Sequence, residues 1–285
     1  MIRNVYIIII FLCFSIIIGA FYHLYSIPHY IPRKDTSAPK EINGVPLVIY
    51  QSWQSHIVPK GMKQNILNTI ENNPEFDYYL YSDADSRSFI TANYDSDVVN
   101  AFDLLRPGAY KSDLWRYCIL YKLGGVYFDI KIIPIVSLHK LISEHKHVFV
   151  KDITCVNNLN KELKNSSMYA RECVWNGLMI SPPNNKIFKH CIQEIVESCK
   201  MRLYRNNDLD ITGPCLLGRI IKKYDSSNYF KYMILNIDKR DDINILLYHN
   251  IPYFIVEYPG YRKEQKKFQK SSHYNEAWKN KQVYN

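Results

Sequence analysis

The chain has 285 residues, of which 47% are hydrophobic and 22% charged, enough for one large domain with a substantial buried core and some appendages. Its net charge of +9 gathers toward the end, at Arg262, Lys263, Lys266, Lys267, Lys270, Lys279 and Lys281. No nucleic-acid partner is expected for them: they read as a solvated face, or as the partner of an acidic lipid surface or of a diphosphate. The absence of any Cys-x-x-Cys pair argues against a zinc site.

In chain order, residues 1–4 form a short tail and residues 5–24 an almost wholly apolar run, broken only by His23. About 20 helical residues cover the roughly 30 Å of a bilayer core, and Ile18-Gly19-Ala20 is a poor cleavage site, so the run reads as an uncleaved signal-anchor that enters the bilayer. Arg3 on one side faces Arg33, Lys34 and Lys40 on the other, and charge bias does not decide the orientation. Residues 25–44, rich in Pro and charge, suit an extended stem. Residues 45–285 form the domain. Strands are expected at Leu47 to Tyr50, Tyr78 to Tyr81, His147 to Val150, Val174 to Ile180, Tyr232 to Leu235, Ile243 to Leu247 and Tyr253 to Val256. Helices are expected at Met62 to Glu71, Asn185 to Lys200 and Pro214 to Lys222. This alternation indicates an α/β fold with a mainly parallel sheet covered on both faces.

The most informative stretch is a helix followed by a glycine turn, a strand and a carboxylate. Leu114, Tyr117, Cys118 and Tyr121 recur at helical spacing, and Gly124 stands where a helix end needs a left-handed residue. Asp113 and Arg116 then share one face. Val126 to Phe128 reads as a buried strand that delivers Asp129 to its C-terminal end, where open α/β sheets bind ligands. Asp113 and Arg116 by themselves are an ordinary ion pair one turn apart. Their otherwise apolar helix demands partners for both charges.

Ser112-Asp113-x-x-Arg116-Tyr117, Gly124-Gly125-Val126-Tyr127 and Asp129 resemble the family 32 sugar transferases, which include yeast-type Golgi mannosyltransferases, and more distantly the glucosylating domains of clostridial toxins. Tyr50-Gln51-Ser52-Trp53, Thr212-Gly213-Pro214, His273-Tyr274 and Trp278 extend the likeness. The resemblance implies a GT-A-type nucleotide-sugar-binding domain, lumenal and therefore type II, that transfers a sugar with retention to a glycan or other hydroxyl acceptor. It further implies that Trp53 stacks on the donor base, that Asp113 and Asp129 contact ribose or sugar hydroxyls, and that Arg116 lies near the glycosidic oxygen. Asn176, beside Gly177, is implied on the acceptor side. His273 is suited to the diphosphate or to a metal, or is a surface histidine. Thr212-Gly213-Pro214 reads as a helix start with Thr212 as cap.

The family signature Asp-x-Asp helps to hold Mn²⁺ or Mg²⁺ against the donor diphosphate, and here its second position is Lys131. In an extended strand Asp129 and Lys131 face the same side. A lysine cannot ligate such a metal. Three readings stay open: the ammonium replaces part of the metal's charge, Asp129 holds a metal with help from elsewhere, or the protein binds nucleotide sugars or glycans without turnover. Asp83-Ala84-Asp85, Asp95-Ser96-Asp97 and Asp208-Leu209-Asp210 show how weak the triplet is alone, and Asp85 also suits a helix cap. Cys118 reads as core, and Cys191 and Cys199 stand too far apart on one helix to bridge. Cys155 with Cys173 is the first pair to test, although spacing assigns no connectivity. Asn165-Ser166-Ser167 is a formal glycosylation acceptor.

Overall fold

The computed structural model describes Gly19 and residues 25–151, 173–224, 232–240, 243–268 and 273–285. The expected anchor, apart from Gly19, lies outside the described residues, as do Cys155 and the Asn165 acceptor. Among the described residues no helix is long and apolar enough to cross a membrane.

The strands in order are β1 (Tyr30–Ile31), β2 (Glu41–Ile42), β3 (Val45–Pro46), β4 (Val48–Ser52), β5 (Asp77–Tyr81), β6 (Gly125–Phe128), β7 (Ile133–Pro134), β8 (His147–Lys151), β9 (Val174–Ser181), β10 (Tyr232–Arg240), β11 (Ile243–Tyr248) and β12 (Ile251–Ile255). The helices are α1 (Lys60–Glu71), α2 (Asp83–Asn93), α3 (Ser96–Leu104), α4 (Gly108–Leu123), α5 (Leu138–Glu144), α6 (Lys186–Lys200), α7 (Pro214–Tyr224), α8 (Tyr261–Phe268) and α9 (Tyr274–Lys279). Ten strands form one sheet in the order β1-β5-β4-β6-β9-β8-β10-β11-β12-β7. The unit β5-β4-β6 is parallel, as is β8 with β10, and antiparallel pairings complete the rest.

Both faces of the sheet are covered, and the period-2 alternation of the strands sorts their side chains between two apolar layers. Tyr50, Tyr81, Tyr127, Phe149 and Met179 pack with α4, α6 and α7. Ile49, Tyr78, Leu80, Val126, Phe128, Leu178 and Ile180 pack with α1 and α5. Helix α4 runs through the first layer buried from Asp113 to Leu120. Gly124 ends it at φ 67°, and a Cβ there would also lie 2.5 Å from the Pro183 backbone nitrogen, so only glycine fits on both counts.

Of residues 25–44, expected as a stem, 34–41 are almost all exposed, while the start lies against the domain. Ile27 is buried, its N–H donates to His56 O at 2.9 Å, and β1 pairs with β5, so the sheet edge satisfies backbone that a free stem would leave to water. The partner of Cys173 is Cys215, with Cα atoms 4.2 Å apart, because the start of β9 meets the start of α7. Cys118, Cys191 and Cys199 are free and buried, as their apolar helix faces predict.

Candidate functional site

In the parallel unit, the C-terminal ends of β4, β5 and β6 lie along one edge, and the site is built there and on α4. Tyr127 faces the α4 layer, and its hydroxyl donates to Asp129 Oδ1 at 2.9 Å. Ser52, the last residue of β4, bonds Ser112 of α4 through their hydroxyls at 2.9 Å. β9 runs antiparallel to β6, and Asp129 N–H donates to Gly177 O at 2.8 Å.

Asp113 and Arg116 are only 8% and 7% exposed, and each is fully partnered. The Asn176 amide donates to Asp113 Oδ1 at 2.9 Å, and the Thr212 hydroxyl to Oδ2 at 2.8 Å. The guanidinium donates three hydrogen bonds and lies at ion-pair distance from two carboxylates. Nε reaches Ser112 O at 3.3 Å, and Nη1 reaches Asn176 O at 2.8 Å and Asp129 Oδ1 at 3.3 Å. Nη2 reaches Ser112 Oγ at 2.9 Å and Asp113 Oδ1 at 3.5 Å. The guanidinium also lies 4.5 Å from the Tyr127 ring centroid. Arg116 thus holds both carboxylates from behind.

Burial raises the Asp113 carboxyl above its ordinary value, against the lowering by Arg116, Thr212 and Asn176. Burial also works against the charge of Arg116, but Tyr127, Asp113 and Asp129 outweigh it and the guanidinium is held more firmly protonated than in water. Arg116 is therefore permanently charged, while Asp113 loses its proton later than an exposed aspartate.

Lys131 reaches the site by a different backbone path from the one expected. The strand stops at Phe128, and Asp129 opens a turn closed by Ile132 N–H donating to Asp129 O at 2.9 Å. The turn still brings the Lys131 ammonium to 3.6 Å from Asp129 Oδ2, with the Trp175 and Tyr261 ring centroids at 5.5 and 5.8 Å.

Other expected site residues lie elsewhere or act differently. Asn176 is 3% exposed, and its amide donates to Asp113 Oδ1 and to the Tyr117 hydroxyl. Trp53 packs half-buried in the layer opposite α4, and it makes no hydrogen bond or ring contact with Asp113, Arg116 or Asp129. Its indole N–H is buried without a hydrogen-bond partner. His273 is exposed, caps α9 by accepting Asn275 N–H at 3.3 Å and stacks on Tyr274, with no contact to Asp129. Thr212, which reads in sequence as a helix cap, instead holds Asp113. Trp175 and Tyr261 carry no sequence signal, since only the fold brings them to Lys131.

The residues present do not fit a divalent metal at Asp129. Mn²⁺ and Mg²⁺ require several oxygen ligands; the neighbouring carboxylate, Asp113, is taken up by Asn176, Thr212 and Arg116, and among the described residues no group of three His, Cys, Asp or Glu ligands gathers at Asp129. The one close His/Asp group among them is His29, His56 and Asp85, with ligand atoms within 4.8 Å, at the ends of β4 and β5. The three facing atoms are already engaged, His29 Nδ1 with Leu80 O at 2.8 Å and His56 Nε2 and Ser82 N–H both with Asp85 Oδ2, while His56 Nδ1 is buried without a hydrogen-bond partner. The other Asp-x-Asp triplets are structural. Asp95 caps α3, Asp97 pairs with Lys200, Asp210 with Arg219, and Asp208 accepts from Asn275.

Two carboxylates held by one arginine beside the strand ends of an α/β sheet lie within the segment that known proteins match. Residues 59–148, which carry Asp113, Arg116, Asp129 and Lys131, match the family described as "Glycosyltransferase sugar-binding region containing DXD motif". Inositol phosphoceramide mannosyltransferase 2 of Schizosaccharomyces pombe is 34% identical over 110 residues, 35% of this chain and 32% of that protein. Initiation-specific alpha-1,6-mannosyltransferase of Candida albicans is 30% identical over 112 residues, 37% of this chain and 29% of that protein. The matched part thus spans about a third of each of these relatives. A solved structure, PaToxG Glycosyltransferase, aligns at a TM-score of 0.44 and 15% identity over 63% of this chain and 68% of that one, a likeness too slight to carry an assignment.

Proposed function

We propose that the chain is a membrane-anchored glycosyltransferase that moves a hexose from a nucleotide-sugar donor to a hydroxyl of a glycan or glycoconjugate, with retention of anomeric configuration. The observation that carries this reading is the Asp113–Arg116–Asp129 group beside the strand ends, with Asp113 and Arg116 buried and Asp129 partly exposed, inside the segment that matches the sugar-binding family. Asp113 and Asp129 keep lone pairs beyond their protein partners with which to accept donor hydroxyls, and Arg116 fixes the two carboxylates relative to each other. Thr212 and Asn176 orient Asp113, and Tyr127 orients Asp129. No side chain is assigned as a covalent nucleophile. The names of the relatives support mannose as the first sugar to test.

The apolar run at residues 5–24 supports a single-pass anchor, and the Cys173–Cys215 disulfide supports an oxidising lumen for the domain. The test is to incubate the full chain in detergent with nucleotide-linked mannose, glucose, galactose and N-acetylglucosamine and a panel of glycan and glycolipid acceptors. A product should form with one donor, its anomeric configuration read by NMR, and Arg116→Ala should lower kcat/KM by at least about 100-fold. Failure of every donor to give transfer or nucleotide release overturns the reading.

A further inference from the structure

We infer that this site binds the donor diphosphate without a divalent metal, using the Lys131 ammonium as its cation. The inference rests on the glycosyltransferase reading and adds the group that meets the phosphates.

Of the two cations at the site, Arg116 is turned toward the protein: it donates three hydrogen bonds to Ser112 and Asn176 and faces both carboxylates at ion-pair distance. Lys131 is the opposite case. Its one ionic contact is Asp129 Oδ2 at 3.6 Å, no hydrogen bond ends on its ammonium among the described residues, and its other neighbours are aromatic faces. An ammonium carries three donors, so this cation can turn at least two toward a ligand. Its side chain is 14% exposed, which leaves the head reachable while shielding its charge little from a bound anion.

The charge balance agrees. Asp113 and Asp129 are matched by Arg116 and Lys131, so the cluster has no surplus negative charge to attract a divalent ion. The Asp129 oxygen not engaged by Tyr127 and Arg116 is the one beside Lys131. A metal ion bound there would stand within a few ångströms of an ammonium, a repulsion that the single carboxylate does not offset. Trp175 and Tyr261 hold the ammonium by cation–π contact, so it is fixed before any ligand arrives.

The experiment uses the full chain and two probes, GDP and UDP, with GMP and UMP as references, titrated by calorimetry in EDTA and again in MnCl₂. The expected result is that one diphosphate binds equally in both. Lys131→Met should weaken that diphosphate roughly 10- to 100-fold and the monophosphate much less, with Lys131→Arg restoring most of the loss. Lys131→Asp, which recreates Asp-x-Asp, should make diphosphate binding depend on Mn²⁺. Binding by the unmodified chain only in Mn²⁺ overturns the proposal and leaves the glycosyltransferase reading standing. Equal losses for diphosphate and monophosphate in Lys131→Met also overturn it. If neither diphosphate binds under either condition, both readings fall together.

Discussion

Gly177 is where one carbon atom decides the site. A Cβ there would lie 2.4 Å from the Trp175 ring and 2.9 Å from Asp129 Oδ2, so the glycine keeps room for the carboxylate and for the ring that flanks Lys131. Gly177→Ala is expected to cost at least about tenfold in kcat/KM, because displacement of reacting groups by an ångström is expensive. Thr212→Val removes the hydroxyl that donates to Asp113 and should lower stability by about 1–3 kcal/mol, measured by urea unfolding. Asp113 itself sets a pH dependence. Its carboxyl is harder to ionise in the fold than in the unfolded chain, so its contribution favours folding below the ordinary value of 3.8 and is lost as pH rises through the raised value. Donor affinity that needs the carboxylate should therefore fall on acidification while the pH is still above 3.8, a limb absent from Asp113→Asn. Asp113, Arg116 and Asp129 were legible in sequence because charges on an apolar helix and at a strand end require a purpose. Thr212 and Tyr261 were not, since they come from segments about 100 or more residues away and their local patterns read as a cap and a basic surface.

Most elements follow from local patterns. The expected helix at Asn185 to Lys200 is α6 with Asn185 as its cap, its side chain accepting Ile187 N–H at 3.0 Å, and the glycine after α4 ends that helix where a left-handed residue was expected. The shorter helices α3, α5, α8 and α9 gave no clear period because six to nine residues offer too few turns to distinguish helix from loop. The turn at Asp129–Ile132 was also hidden, because an apolar run that continues through Ile130, Ile132 and Ile133 reads as uninterrupted strand. The Asp83-Ala84-Asp85 triplet resolves into a capping box. Ser82 Oγ accepts Asp85 N–H at 3.2 Å, and Asp85 accepts Ser82 N–H at 2.8 Å. Ser82→Ala should lower stability by about 1 kcal/mol, readable as a small fall in Tm without loss of donor binding.

For the molecule as a whole, the disulfide is the feature the sequence could not assign, since six cysteines outside the apolar N-terminal run allow many pairings. Closing a loop with a separation of 42 residues, Cys173–Cys215 should contribute about 4 kcal/mol through the unfolded chain, so reduction should lower Tm by roughly 10 °C. Alkylating reagents should leave native Cys118 and Cys191 untouched, because burial raises both thiols and denies access; mass spectrometry before and after unfolding reads this. The bridge also joins the strand that carries Asn176 to the helix that follows Thr212, and those two residues grip the same carboxylate from opposite oxygens. How the protein has been handled then becomes a variable of its chemistry. A batch made in a reducing bacterial cytosol, or stored with dithiothreitol, should show the same secondary structure by circular dichroism as an oxidised batch yet turn over more slowly. Two samples of one sequence, differing by a pair of hydrogen atoms, would then carry different specific activities.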